Sequence, residues 1–178
     1  MINQFSLLAW NIRGAGNDEA KRHVADLCRE HRPDVFFVLE RHVPFESVRS
    51  SWDFLGYDST EIMDPDGFSG GIWVLWKSHR LHVHILSSMH QCITFMVNGN
   101  SSNPWMCSTV YASPSTVIRE QLWNHLRDLS TQYNQPRLSF FPNSSLNSKT
   151  YSTGCPAFVG KGGIFSLGLR YVNPYPIH

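Results

Sequence analysis

Three polar residues stand where apolar strands are predicted to end, and their side chains suit metal and phosphate binding. Asn11 lies near the end of an apolar run over residues 5–12, Glu40 follows residues 35–39, and Tyr111 ends the run over residues 105–111. A lone carboxylate can bind a hard divalent cation such as Mg²⁺, which prefers oxygen ligands and keeps several waters. An amide and a phenol beside it can hold a phosphate oxygen. The alternative is structural: Glu40 caps a turn, Asn11 satisfies a loop and Tyr111 is an edge aromatic.

The elements that would position these residues are those of a mixed α/β domain. Residues 5–12 and 35–39 are predicted strands, and the second lacks alternation, as expected for a strand covered on both faces. Between them a helix is predicted with Asn17 as its N-cap and Asp18 and Glu19 in its first turn. In a layered sheet, strand ends from distant parts of the sequence meet at one rim, where sites are usually built.

The remaining periodic segments extend this pattern. A short helix is predicted over residues 44–52, strands over 72–76, 81–86, 91–97 and 105–111, and a final helix over 118–133. Asn98-Gly99-Asn100 indicates a hairpin between the last two strands. From Arg137 to His178 the chain is rich in Ser, Asn, Gly and Pro, with a possible short strand at 138–141. We therefore expect a domain over residues 1–136 and a divergent, irregular tail over 137–178.

Composition narrows the class of protein. The chain has 178 residues, 42% hydrophobic and 16% charged, which favours one globular domain over disorder. A formal net charge of +1 gives no general attraction to nucleic acid, so any DNA contact must be local. The four cysteines form no C-x-x-C pair, which argues against a structural zinc site. Without a signal peptide or an apolar membrane span, we expect an intracellular protein, nuclear or cytoplasmic, that is not secreted.

Three motifs carry a resemblance to a known family. AWNIRG at residues 9–14, VLE at 38–40 and STVYASP at 108–114 resemble, in order and spacing, those of the endonuclease/exonuclease/phosphatase superfamily. SGGIWVLW at residues 69–76 resembles the nuclease domain of plant non-LTR (LINE-type) retrotransposon polyproteins. The similarity runs from about Phe5 to Pro136. Each motif alone is weak, whereas the ordered set is specific.

The resemblance implies a fold and a chemistry. The fold is a DNase I-like four-layer α/β sandwich, in which two mixed sheets pack face to face between helices. By resemblance, Glu40 coordinates Mg²⁺ (or Mn²⁺), Asn11 lies beside the metal and Tyr111 contacts the phosphate near the attacking water. The implied substrate is DNA, and the implied task in a retrotransposon is to nick genomic DNA for reverse transcription.

The sequence departs from the family pattern in ways that put hydrolysis in doubt. Arg41 stands where the family usually has Thr, and the strand after Gln135-Pro136 does not end in Gly-Asp-x-Asn. The terminal Ser-Asp-His, which supplies the family's general base, is absent from this sequence as well. Such a base typically contributes 10²–10⁴-fold, so we expect little or no nuclease activity. The alternative function is an inactive retroelement remnant that acts only in binding.

The same departures predict that the C-terminal part of the sandwich is missing. An uncovered sheet would then favour self-association, while no obligate protein partner is inferred. Apart from this fold, His82 and His84 alternate with apolar residues along one predicted strand. They could bind a metal, but a solvated strand face accounts for them more simply.

Overall fold

The computed structural model describes residues 6–12, 15–40, 43–65, 70–98, 104–135, 137–140, 163–166 and 170–172. For Asn11, Glu40, Phe140 and the last two ranges the description covers the backbone alone. The strands are β1 (Ser6–Asn11), β2 (Val35–Glu40), β3 (Ser59–Met63), β4 (Gly71–Trp76), β5 (His82–Met89), β6 (Cys92–Asn98), β7 (Trp105–Val110), β8 (Arg137–Phe140), β9 (Gly163–Ser166) and β10 (Arg170–Val172). The helices are α1 (Asp18–His31), α2 (Arg49–Phe54), which follows a 3-10 helix at Phe45–Ser47, and α3 (Thr116–Gln132).

Two mixed sheets organise the strands. The first has the order β10-β9-β1-β2-β4-β3, and the second has the order β5-β6-β7-β8. In the first sheet β1 and β2 run parallel, while β4 is antiparallel to both β2 and β3. In the second sheet β7 and β8 run parallel and the other neighbours are antiparallel. This confirms the predicted α/β sandwich of two mixed sheets with flanking helices.

Three apolar layers hold the sandwich together. The layer between the two sheets draws side chains from both, and its buried members are Leu7, Val35, Phe37, Leu39, Ile72, Val74, Leu81, Ile93, Phe95, Val97, Cys107, Tyr111 and Leu138. A second layer, under α1 and α2, includes Phe36, Trp52, Tyr57 and Trp73. A third, under α3, is built on Cys92, Val110 and Leu122. Both faces of β2 are therefore covered, as its continuous apolar run predicts.

Helix α1 illustrates how local sequence sets the element boundaries. The Asn17 side chain accepts a hydrogen bond from the Ala20 backbone N–H at 2.7 Å, which confirms the predicted N-cap. The helix ends at Arg32, whose positive φ of 47° lets its own N–H donate to the Cys28 carbonyl oxygen. Pro33 cannot continue a helix, so the chain turns into β2. β1, α1 and β2 form a β-α-β unit in which the two strands pair in parallel.

Some elements differ from the prediction. The half-buried edge strand β3 has no apolar alternation, and the sequence pattern did not indicate it. The short strand predicted at 138–141 is β8, which pairs with β7. In the stretch expected to be irregular, β9 also pairs with β1, and β10 pairs with β9. Segments of three or four residues are too short for periodicity to reveal. The hairpin prediction is confirmed by the β6–β7 pairing, although residues 99–103 lie outside the described part.

The cysteines that the structure describes are structural. Cys28, Cys92 and Cys107 are buried free thiols. Burial raises the pKa of Cys92 to about 11 and that of Cys107 to about 12, so both stay protonated and unreactive at neutral pH.

Among the described helices none is long and apolar enough to cross a membrane.

Candidate active site

The first sheet brings the backbones of Asn11 and Glu40 to one rim. Asn11 is the last residue of β1 and is the register partner of Leu39 in the parallel strand β2. Just beyond it, the Ile12 N–H donates to the Leu39 carbonyl oxygen at 3.0 Å. Parallel strands end at the same side of a sheet, so Asn11 and Glu40 are neighbouring positions at the carboxyl ends of their strands. Their side chains lie outside the described part of the structure, as does Arg41.

Tyr111 reaches this rim from the second sheet through Gly70. Glu40 is the register partner of Gly71 in β4, and Gly70 precedes it. A Cβ atom on Gly70 would stand 2.5 Å from Tyr111 Cε1 and 2.8 Å from Tyr111 Cζ, so the ring lies directly on the Gly70 backbone. Tyr111 is only 8% exposed and packs in the layer between the sheets. The structure therefore places all three predicted residues at one rim, two by backbone position and one by its ring.

Gly71 is confined almost as closely as Gly70, in this case by the Met63 carbonyl group and the Pro65 ring. A Cβ there would stand 2.8 Å from the Met63 carbonyl oxygen and 2.9 Å from the Pro65 nitrogen. A side chain at position 71, the partner position of Glu40, would therefore clash with the residues that end β3. The adjacent Asp64 carboxylate accepts a hydrogen bond from the Phe45 N–H at 2.9 Å, which ties the chain that follows β2 to the end of β3.

Gln91 holds the backbone around Tyr111. The Tyr111 N–H donates to the Gln91 carbonyl oxygen at 2.8 Å. The Gln91 side chain accepts a hydrogen bond from the Ser113 N–H through Oε1 at 2.9 Å. Through Nε2 it donates to the Ile118 carbonyl oxygen at 2.8 Å. Gln91 is only 6% exposed, so its amide links the segment after β7 to the first turn of α3 where little solvent reaches.

Arg119 completes the support of the same segment. Its Nη1 donates to the carbonyl oxygens of Ser113 and Pro114 at 3.3 and 3.1 Å, and its Nη2 donates to Thr116 Oγ1 at 3.3 Å. Sequence reasoning missed both Gln91 and Arg119. The side-chain partners of Gln91 lie 22 and 27 residues away, and the carbonyl partners of Arg119 lie in an irregular segment that has no distinctive pattern. In the sequence Gly70 stood out only as part of the motif at residues 69–76, and its fit to an aromatic ring became evident only in the fold.

The donor set at the rim suits a hard, hydrated cation. Glu40 and Asn11 offer carboxylate and amide oxygens, and Mg²⁺ is commonly bound through one or two carboxylates while it keeps several waters. Among the side chains that the structure describes, no three His, Cys, Asp or Glu residues are grouped to hold a metal ion. His82 and His84 are exposed on β5, which agrees with a solvated strand face.

β8 lies at the position where the family pattern requires Gly-Asp-x-Asn. It runs parallel to β7 with Thr109 opposite Phe140. The next residues of the chain read Phe141-Pro142-Asn143-Ser144, and no Asp or Glu occurs anywhere from Arg137 to His178. The strand is therefore present, whereas the carboxylate expected at its end is absent from the sequence.

The layers and the rim together define a DNase I-like α/β sandwich with a candidate phosphoester site at the strand ends. The model of the Endonuclease/Exonuclease/phosphatase family matches residues 8–141, which include all three motif residues. The chain belongs to this family. No curated protein sequence matches it.

Solved structures with the same fold are distant in sequence. ANGEL2, a 2',3'-cyclic phosphatase, has a TM-score of 0.53 at 15% identity, with 75% of this chain and 50% of that chain covered. A family protein from Bacteroides thetaiotaomicron has a TM-score of 0.51 at 12% identity, with 75% and 61% covered. D. rerio TDP2, complexed with a single-strand DNA product, has a TM-score of 0.50 at 15% identity, with 72% and 54% covered. The chain thus spans about half to three fifths of the length of these three structures.

Proposed function

We propose that this chain derives from a Mg²⁺-dependent endonuclease domain of a plant LINE-type retrotransposon, and that it retains binding while its hydrolysis is impaired. The observation that carries the proposal is the rim itself. Parallel pairing places Asn11 beside the end of β2, and the contact between Gly70 and the Tyr111 ring adds a phenol from the second sheet. The retrotransposon origin rests on the resemblance of residues 69–76.

The proposed roles follow from the chemistry of each group. Glu40 would hold the cation with Asn11 beside it, and Tyr111 would donate a hydrogen bond to a phosphate oxygen. The chemistry that a bound Mg²⁺ or Mn²⁺ ion supplies is neutralisation of the charge that develops on the scissile phosphate. Gly70 lies against the Tyr111 ring, and Gln91 accepts a hydrogen bond from the Tyr111 N–H. Because both its ring and its backbone are held in this way, the Tyr111 hydroxyl is well suited to select one phosphate position.

Impaired hydrolysis is proposed from the residues that come after β8. In the family pattern the Asp and Asn of Gly-Asp-x-Asn position the nucleophilic water and the phosphate. This chain offers Phe141-Pro142-Asn143-Ser144 at that place. A positioned proton-transfer group typically raises the rate of the reaction 10²–10⁴-fold. Loss of the residues that position the water should lower the rate further. The metal and phosphate contacts proposed for Glu40, Asn11 and Tyr111 use other groups, so binding is the property expected to persist.

The proposed ligand is DNA. A net charge of +1 provides no general attraction, so affinity has to come from the metal and the rim and should depend on the divalent ion.

The proposed place of action is the nucleus, where genomic DNA lies, after synthesis in the cytoplasm. The second candidate function, a remnant that only binds, differs from the first in its lack of any measurable turnover, and the missing Gly-Asp-x-Asn favours it for present activity.

The proposal is tested by measuring the binding of a labelled oligonucleotide through its fluorescence anisotropy, with and without Mg²⁺. We expect Mg²⁺ to tighten binding by wild-type protein about tenfold, which corresponds to roughly 1.4 kcal/mol. Glu40→Gln keeps the size of the side chain but removes its charge, and should abolish the Mg²⁺ effect. Glu120→Gln, on the exposed face of α3, is the matched control and should behave as wild type. Equal, Mg²⁺-independent binding by wild type and Glu40→Gln would contradict the proposed site.

A further inference from the structure

We propose that Gln91 is a positioning residue that fixes the Tyr111 hydroxyl at the rim, an inference that rests on the proposed role of Tyr111. Gln91 engages the segment after β7 with all of its polar groups except its own N–H. Its carbonyl oxygen accepts from Tyr111, its side-chain oxygen accepts from Ser113, and its side-chain nitrogen donates to the Ile118 carbonyl oxygen.

The segment needs such support because the regular strand has ended. β7 stops at Val110, and α3 begins at Thr116, so residues 111–115 are irregular. The hydrogen bond from the Tyr111 N–H to the Gln91 carbonyl oxygen continues the pairing of β6 with β7 past the end of β7. The Gln91 side chain then fixes the backbone two residues further on, at Ser113. The Tyr111 ring also lies against Gly70, so both the backbone and the side chain of Tyr111 are held in place.

The chemistry of the side chain explains why an amide is suited to this place. A neutral amide accepts and donates at once, and here it meets one N–H and one carbonyl oxygen. Leucine has a similar shape but offers neither function, so it would leave both backbone groups unpaired. Glutamate keeps the acceptor for Ser113. Because Arg119 contacts only the carbonyl oxygens of the segment, it cannot replace Gln91 at the Ser113 N–H.

The first test follows the Tyr111 ring directly and does not require nuclease function. The protein contains six tyrosines, so fluorotyrosine labelling gives few ¹⁹F resonances, and Tyr111→Phe assigns the relevant one. We expect Gln91→Leu to shift or broaden the Tyr111 resonance while that of Tyr57, buried under α1 and α2, stays in place. Gln121→Leu, the same change on the exposed face of α3, should alter neither.

A second variant covers the case in which Gln91→Leu unfolds the chain and moves every tyrosine resonance. Gln91→Glu keeps the acceptor for Ser113 and should leave the Tyr111 resonance close to its wild-type position. An unchanged Tyr111 resonance in folded Gln91→Leu would overturn the proposal, as would a Gln91→Glu protein that is folded but has lost that resonance position.

The third measurement is a double-mutant cycle on Mg²⁺-dependent oligonucleotide binding. Tyr111→Phe and Gln91→Leu should each weaken binding by about tenfold, and the double variant should lose no more than either single variant, because both act through the same hydroxyl. Multiplied losses in the double variant would contradict positioning through Tyr111. If wild-type binding is indifferent to both Mg²⁺ and Tyr111→Phe, the proposed function fails, and the ¹⁹F result still decides the role of Gln91.

Discussion

Gly70→Ala is expected to destabilise the fold and to displace Tyr111 from the rim. The added Cβ would stand 2.5 Å from Tyr111 Cε1, which is closer than real carbon contacts, so the ring or the strand must shift. Overpacking of a tightly packed position costs about 1–3 kcal/mol. We expect a loss of that size in the free energy of unfolding, measured by denaturant titration, and a loss of Mg²⁺-dependent oligonucleotide binding.

Two further variants separate the steric clash from a general effect of alanine. In a Tyr111→Ala background the ring is gone, so Gly70→Ala should cost little beyond Tyr111→Ala alone. Gly16→Ala is the matched control, because a Cβ there would meet Val43 at an ordinary 3.7 Å. If Gly70→Ala destabilises the protein equally in both backgrounds, the contact between Gly70 and the Tyr111 ring is not the cause.

Trp73→Ala should produce the largest loss of stability of any variant considered. Trp73 is fully buried in β4 and packs edge-on against Phe45, with ring centroids 5.2 Å apart. Removal of a buried Trp side chain costs about 3–5 kcal/mol in lost burial and cavity formation. Because Trp73 lies one strand away from Glu40 and three residues after Gly70, the rim should lose its geometry together with the fold. Denaturant titration followed by circular dichroism measures the effect.

The nitrogen of Trp73 makes a second comparison informative. Among the described residues Nε1 has no hydrogen-bond partner, although it is buried. Trp73→Phe removes that unpaired donor while it keeps most of the ring, so it should cost clearly less than Trp73→Ala. Phe54→Ala, at a residue that is 91% exposed, is the control and should change stability by about 0.5 kcal/mol or less. Equal losses for Phe and Ala at position 73 would show that packing of the whole indole dominates.

The parts of the fold that the sequence predicted are those with long periodic patterns. The apolar run of β2, the stripe and cap of α1 and the alternation in β5 each encode burial directly in residue order. β3 was missed because an edge strand with half-buried residues on both faces has no such pattern. β9 and β10 are too short to carry one, and the pairing of β9 with β1 joins segments that lie far apart in the sequence.

The candidate site could be predicted only as separate strand ends. Asn11, Glu40 and Tyr111 were selected by residue type and by family motifs. Sheet pairing then places the backbones of Asn11 and Glu40 at one rim, and the contact with Gly70 brings the Tyr111 ring to it. Gln91 could not be recognised in advance, because a glutamine before a strand has no distinctive pattern. Its partners Ser113 and Ile118 lie 22 and 27 residues away and become neighbours only when β6, β7 and α3 assemble.

The central claim, a retained metal and phosphate site with impaired hydrolysis, is tested most directly by plasmid nicking. Purified wild-type protein is incubated with supercoiled plasmid and Mg²⁺ beside Glu40→Ala, after both proteins have been shown to be folded. We predict the same background level of nicked plasmid from the two proteins, together with Mg²⁺-dependent binding that only wild type displays. Mg²⁺-dependent nicking by wild type that disappears in Glu40→Ala would contradict impairment, because this chain would then supply water-activating groups that its family motifs do not predict.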